Sequence, residues 1–263
     1  MKIFCKDYEV MNFLSSDGEL KLNQLVSYLI ETSNYQSINL GLSNEKLLDM
    51  GYTWMIYKWN IKIKSYPRSH EEIKIKTWAS GFKNINAFRE FEVYCQGEKI
   101  LEASAVFLLV DIEKRKPIKI PEEVAKIYGD NGRRIFKSID RVNEPSEVER
   151  ANRISYKILR RDLDFNKHVN NAVYLELIYE ALTEEYSRVK FKDISVNYVN
   201  ELKFGDEIVI DFYKEEDKFY FFFKSKDESQ IYARICGVSA TPISWKNNFL
   251  MLTLLIEKIL NKK

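Results

Sequence analysis

The sequence predicts an α+β chain built twice to one plan, an antiparallel sheet curled around a central helix. Three observations predict it. One apolar segment of helical period precedes several short alternating segments, the same order returns in the second half, and a charged, proline-bearing stretch separates the two copies. With 263 residues, 45% hydrophobic and 30% charged, the chain can bury the core of one large domain or two small ones. Its 41 basic and 39 acidic residues leave a net charge of +2, which makes no case for nucleic acid or membrane as a partner.

The elements follow in order. In "DGELKLNQLVSYLIETSNYQSINLG", Leu22, Leu25, Val26 and Leu29 recur at helical spacing behind the turn residues Asp17 and Gly18. Then "WMIYKWNIKIKSYPRSHEEIKIKTW" alternates Tyr57, Trp59, Ile61 and Ile63, breaks at Pro67, and resumes with Ile73 and Ile75 as a second strand. "AFREFEVYC" and "ILEASAVFLLVD" form two more strands around a turn at Gln96 and Gly97. In the second half a helix at "NNAVYLELIYEAL" is followed by strands at "DISVNYVNEL", "IVIDFY", "KFYFFFKS" and "IYARICGVS". "SHEEIKIKTW" aligns with "FGDEIVIDFY", which points to a duplication.

These patterns predict an N-terminal domain over residues 1–125, a linker wrapping the surface over 126–150, a C-terminal domain over 151–246 and an amphipathic tail over 247–263. A helix followed by antiparallel strands is the hotdog arrangement. A lone copy would leave an edge strand open, so two tandem hotdog domains paired edge to edge are expected. The tail carries Leu250, Leu254, Ile256 and Leu260 and is too short to span a bilayer. It is expected to pack on the body or on a second chain, as in a homodimer, with a membrane-surface anchor as the alternative. Cys5, Cys95 and Cys236 are odd in number and lack metal or disulfide spacing, and "MKIFCKDYEVMNF" has no signal-peptide pattern, so a cytoplasmic protein with reduced thiols is expected.

Chemistry concentrates in "RRDLDFNKHVNNAVYLELIYEAL", residues 160–182, where Asp164, Asn166 and His168 stand at alternate positions before a helix. The unpaired N–H groups and positive dipole end of a helix N-terminus favour developing negative charge. Asn166 can donate to a carbonyl oxygen, His168 can hold a substrate oxygen or move a proton, and Asp164 can orient either. The competing reading gives these residues only turn and capping roles, with Asn170 or Asn171 as the cap. The other histidine, His70, falls in a polar turn and reads as solvated.

With these residues in place, the chain resembles the acyl-acyl carrier protein thioesterases, tandem-hotdog hydrolases of plants and bacteria, from about Tyr8 to Trp245. The family's Asp-x-Asn-x-His-Val-Asn-Asn signature is present as Asp164, Asn166, His168, Val169, Asn170 and Asn171. "GYTWMIYKWNIKIKSYPRSHEEIKIKTW" and "VDIEKRKPIKIPEEV" match first-half landmarks. The resemblance implies hydrolysis of fatty acyl-acyl carrier protein to free fatty acid, no metal or organic cofactor, an acyl pocket shaped by the first half, and Glu201 as a catalytic carboxylate that activates water. Leu202 stands where plant members carry Cys, so attack by water is expected, with direct attack by Asp164 as the alternative. Acyl-CoA hydrolysis, a dehydratase and a non-catalytic acyl-binding protein are the rival functions. The aromatic stripes, Trp54, Tyr57, Trp59 and Phe219 to Phe223, read mostly as sheet core. Arg133, Arg134, Lys137, Arg160 and Arg161 are candidates for meeting an acidic carrier protein.

Overall fold

The computed structural model describes residues 2–11, 17–164 and 167–240. Strand β1 (Phe4–Glu9) leads to helix α1 (Leu22–Asn39), a short helix α2 (Asn44–Asp49), and strands β2 (Tyr52–Ile63), β3 (Glu72–Lys83), β4 (Asn86–Cys95) and β5 (Glu98–Asp111). After the two-residue β6 (Lys116–Pro117) and helix α3 (Glu122–Tyr128), the second half brings β7 (Arg150–Lys157), α4 (Asn171–Glu180), β8 (Phe191–Tyr198), β9 (Glu207–Glu215), β10 (Lys218–Ser225) and β11 (Ile231–Ser239).

The expected helices and strands form, and they join into one sheet of 11 strands. Read from one edge the order is β1, β3, β4, β5, β2, then β8, β11, β10, β9, β7. The second five repeat the first five in mirror order, so β2 and β8 make the seam between two hotdog domains. They pair antiparallel from Lys62 opposite Asp193 to Lys58 opposite Asn197. This satisfies backbone groups that a single copy would expose. The outer strands β1 and β7 are not among the elements read from the sequence. β1 alternates half-buried with exposed residues and lacks a continuous apolar face, because an edge strand is covered on one side only.

Helical period and strand alternation meet in the core. Leu22, Leu25, Val26 and Leu29 of α1 are buried, as are Trp59, Ile61 and Ile63 of β2 and Phe219, Phe221 and Phe223 of β10. The hairpin turn between β4 and β5 uses two residues in the left-handed region, Gln96 at φ 49° and Gly97 at φ 82°, the geometry that matches the right-handed twist of its strands.

The stretch between the copies is more structured than a linker. Its helix α3 buries Val124 and Tyr128 against the first half. Beyond it the chain crosses the outer face of the sheet. The Trp78 indole donates to the Arg133 carbonyl (2.8 Å), the Ile135 amide to Glu90 (3.1 Å), Lys58 to the Ile139 carbonyl (3.2 Å) and the Val142 amide to Asn197 (2.6 Å). These acceptors and donors alternate along their strands with core residues, so the polar outer face serves as the track for the crossing chain.

Candidate active site

The site begins with two loops laid side by side. Before α4, a 3-10 turn at Arg160–Asp162 is fixed by the buried Asp162, whose carboxylate accepts from the Leu159 amide (2.7 Å) and the Tyr156 hydroxyl (3.0 Å). After β8, residues 199–206 run beside it: the Val169 amide donates to the Leu202 carbonyl (3.1 Å), the Gly205 amide to the Ile158 carbonyl (3.0 Å), and His168 forms a β-bridge with Lys203.

This pairing brings His168 and Glu201 together. Nε2 of His168 stands 3.3 Å from Oε2 of Glu201, with the side chains 35% and 46% exposed, so both remain open to a substrate. Strand alternation would have placed Glu201 opposite Tyr198 and away from the core. It does not apply, because β8 ends at Tyr198 and Glu201 belongs to the following loop. The buried Tyr198 supports the junction by donating its hydroxyl to the Asn171 carbonyl (2.8 Å).

Asp164 lies at the neck of a tight loop. Its amide donates to the His168 carbonyl (2.8 Å) and its Oδ1 accepts from the His168 amide (3.2 Å), while Lys167 takes the left-handed φ of 64° that closes the turn. Asp164 thus holds the backbone that carries the imidazole. Asn166 lies outside the described residues. Asn170 is the helix cap, accepting from the Ala172 amide (3.0 Å), so capping is met without His168. His70 is exposed in its turn, 3.8 Å from Glu9.

The first half contributes a short cleft between α1 and the sheet, lined by Ser37, Trp54, Arg89, Phe107 and Tyr128. Its free space of about 30 Å³ is enough for about two water molecules. Trp54 therefore lines a cleft, whereas Trp59 and Phe219, Phe221, Phe222 and Phe223 are sheet core. Arg89 escaped the sequence reading, although its place in β4 between Ala87 and Phe91 puts a charge in an otherwise apolar inward row. Among the basic candidates, Arg133 is paired with Glu92 (2.6 Å) and Arg134 lies 3.9 Å from the Phe88 ring centre. Arg160 lies over the exposed Phe204 beside the two loops. The amphipathic tail lies outside the described residues. No described helix is long and apolar enough to cross a membrane.

Two hotdog domains sharing one sheet, with a His–Glu pair in the loops beyond the end of β8, define the class. The chain belongs to the acyl-ACP thioesterase family: residues 2–128 match the model of the family's N-terminal domain and residues 145–239 that of its C-terminal domain. It is 24% identical over 197 residues to the chloroplastic acyl-acyl-carrier-protein hydrolase FATB2 of Cuphea viscosissima, covering 70% of this chain and 48% of the relative. It is 23% identical over 220 residues to the chloroplastic palmitoyl-acyl carrier protein thioesterase of Arabidopsis thaliana, covering 76% and 52%. The chain spans about half the length of the curated relatives it matches. Its fold is shared with an acyl-ACP thioesterase from Bacteroides thetaiotaomicron (TM-score 0.78, 22% identity, 90% of this chain and 97% of that one). The 12:0-ACP thioesterase from Umbellularia californica is a further structural relative (TM-score 0.77, 14% identity, 90% and 96%).

Proposed function

We propose that this chain hydrolyses the thioester of fatty acyl-acyl carrier protein, releasing free fatty acid and the carrier, as a cytoplasmic enzyme of fatty acid biosynthesis. The observation that carries the reading is the 3.3 Å approach of His168 to Glu201 beside the start of α4. Neither residue has a structural role that demands the other, and both stay accessible.

Glu201 takes a proton from a water molecule as its oxygen attacks the thioester carbon. The carbonyl oxygen gains negative charge and is held by the Asn166 amide, the role the family signature implies, near the positive end of α4. As the tetrahedral adduct collapses, the C–S bond breaks and the thiolate takes a proton, relayed through the His168 imidazole from Glu201. The acid leaves with the oxygen of water, and the carrier's thiol is restored. Asp164 acts as a positioning residue, since its amide and its Oδ1 both bond to the backbone of His168. No step calls on a metal or an organic cofactor.

Arg160 and Arg161, exposed in the turn before α4, meet the acidic carrier protein in this scheme. Release of free thiol from acyl-acyl carrier protein, compared with the matching acyl-CoA, tests the reading. Faster turnover of the carrier-bound substrate is expected. Turnover of acyl-CoA alone would reassign the substrate, and no thiol release from either would refute hydrolysis.

A further inference from the structure

Arg89 is 8% exposed, yet among the described residues no carboxylate pairs with its guanidinium. Nη1 donates to Oε1 of Gln36 and to Oγ1 of Thr77 (3.3 Å), both neutral groups. The group lies over the rings of Tyr128 (5.4 Å) and Phe107 (5.9 Å), which complete the wall of the cleft. Burial pushes its pKa below the ordinary arginine value, the mark of a cation short of solvation. A guanidinium carries five N–H donors, and Nε and Nη2 have no protein acceptor among the described residues. Both belong to a side chain that lines the cleft.

The cleft lies at the same end of the seam as His168 and Glu201. β8 runs out toward Glu201 past the pair Lys58–Asn197, and the antiparallel β2 begins at that end with Trp54, a wall of the cleft. A chain held by its thioester at the dyad and running along Trp54 points toward Arg89, and it reaches the guanidinium only if the cleft widens beyond its 30 Å³.

A plain hydrocarbon that reaches Arg89 strips the remaining solvent from two donors and offers no acceptor, which is unfavourable. An oxygen at that depth meets both. We propose that Arg89 is a specificity-determining residue that selects, among acyl chains long enough to reach it, those bearing an oxygen function such as a hydroxyl over plain chains of equal length. Plain chains are accepted only when they end short of the guanidinium. This rests on the reading of the cleft as the acyl site.

The test uses S-alkyl pantetheine thioethers, which the enzyme cannot cleave, against their ω-hydroxyalkyl counterparts over a series of chain lengths, with binding measured by titration calorimetry. Because no bond is broken, the result does not depend on hydrolysis, and failure of the hydrolase reading shows separately as absent thiol release. At the length where plain chains first weaken, the hydroxylated partner is expected to bind the wild-type protein roughly tenfold tighter. In Arg89→Met the ratio falls to about one or reverses, while Arg89→Lys, which keeps the charge but not the fork, retains part of it. Equal binding of the two series by the wild type, an unchanged ratio in folded Arg89→Met, or no binding of either series would overturn the proposal. If Arg89→Met does not fold, the wild-type comparison alone decides.

Discussion

His168 and Glu201 meet at 3.3 Å although one precedes a helix and the other follows the next strand. Groups that act as a unit lose most of their effect when either is removed. His168→Ala and Glu201→Gln are each expected to lower thioester turnover by roughly two to four powers of ten, the range of a positioned acid–base group. The double variant should fall little further. Steady-state hydrolysis by the three folded proteins checks this, and additive losses would mean that the residues act separately.

No cysteine is suited to attack. Burial pushes the Cys236 thiol up to about 11 and raises that of Cys95, while Cys5 lies on β1 at the far edge of the sheet. A variant with all three replaced by Ser or Ala should keep its turnover, provided circular dichroism shows it folded. Loss of activity there, with Glu201→Gln still active, would put a thiol at the centre of the mechanism.

Asp211 is fully buried and takes hydrogen bonds from Arg153 (2.5 and 2.8 Å) and an ion pair from Lys224 (3.1 Å). Burial by itself raises its carboxyl, but the hydrogen bonds and charges of Arg153 and Lys224 outweigh this and hold it below the usual carboxylate value. A carboxyl held down in the folded state contributes stability that is present above its unfolded value, about 3.9, and lost as the pH falls through the lower folded value. Asp211→Ala should cost about 3 kcal/mol at neutral pH, the low end for a broken buried pair because Arg153 keeps access to water. Urea unfolding should show the difference between wild type and variant shrinking as the pH drops below about 4. A constant difference across that window would contradict the assignment.

Gly237 leaves room for the ring of Phe191. A Cβ there would stand 2.5 Å from the nearest ring carbon, and the ring is itself packed edge-on against Phe219 and Phe221. Gly237→Ala should destabilise the second half by about 1–3 kcal/mol through overpacking. A thermal midpoint unchanged from the wild type would show that the ring can move aside.

The sequence by itself determined the duplicated α+β plan, because inward rows such as Trp59, Ile61 and Ile63 or Leu22, Leu25 and Leu29 obey strand and helix periods that need no partner to be seen. It also marked His168 and Asp164 by their place before α4, and the resemblance to the family pointed to Glu201. Tertiary structure alone decided that Glu201 reaches His168, because two loops distant in sequence are laced together by the Val169–Leu202 and Ile158–Gly205 backbone bonds. It alone made edge strands of β1 and β7, whose half-covered faces carry little apolar pattern. And it alone showed Arg89 without a carboxylate partner among the described residues, since a charge in an apolar row reveals its cost only when the groups packed around it are known.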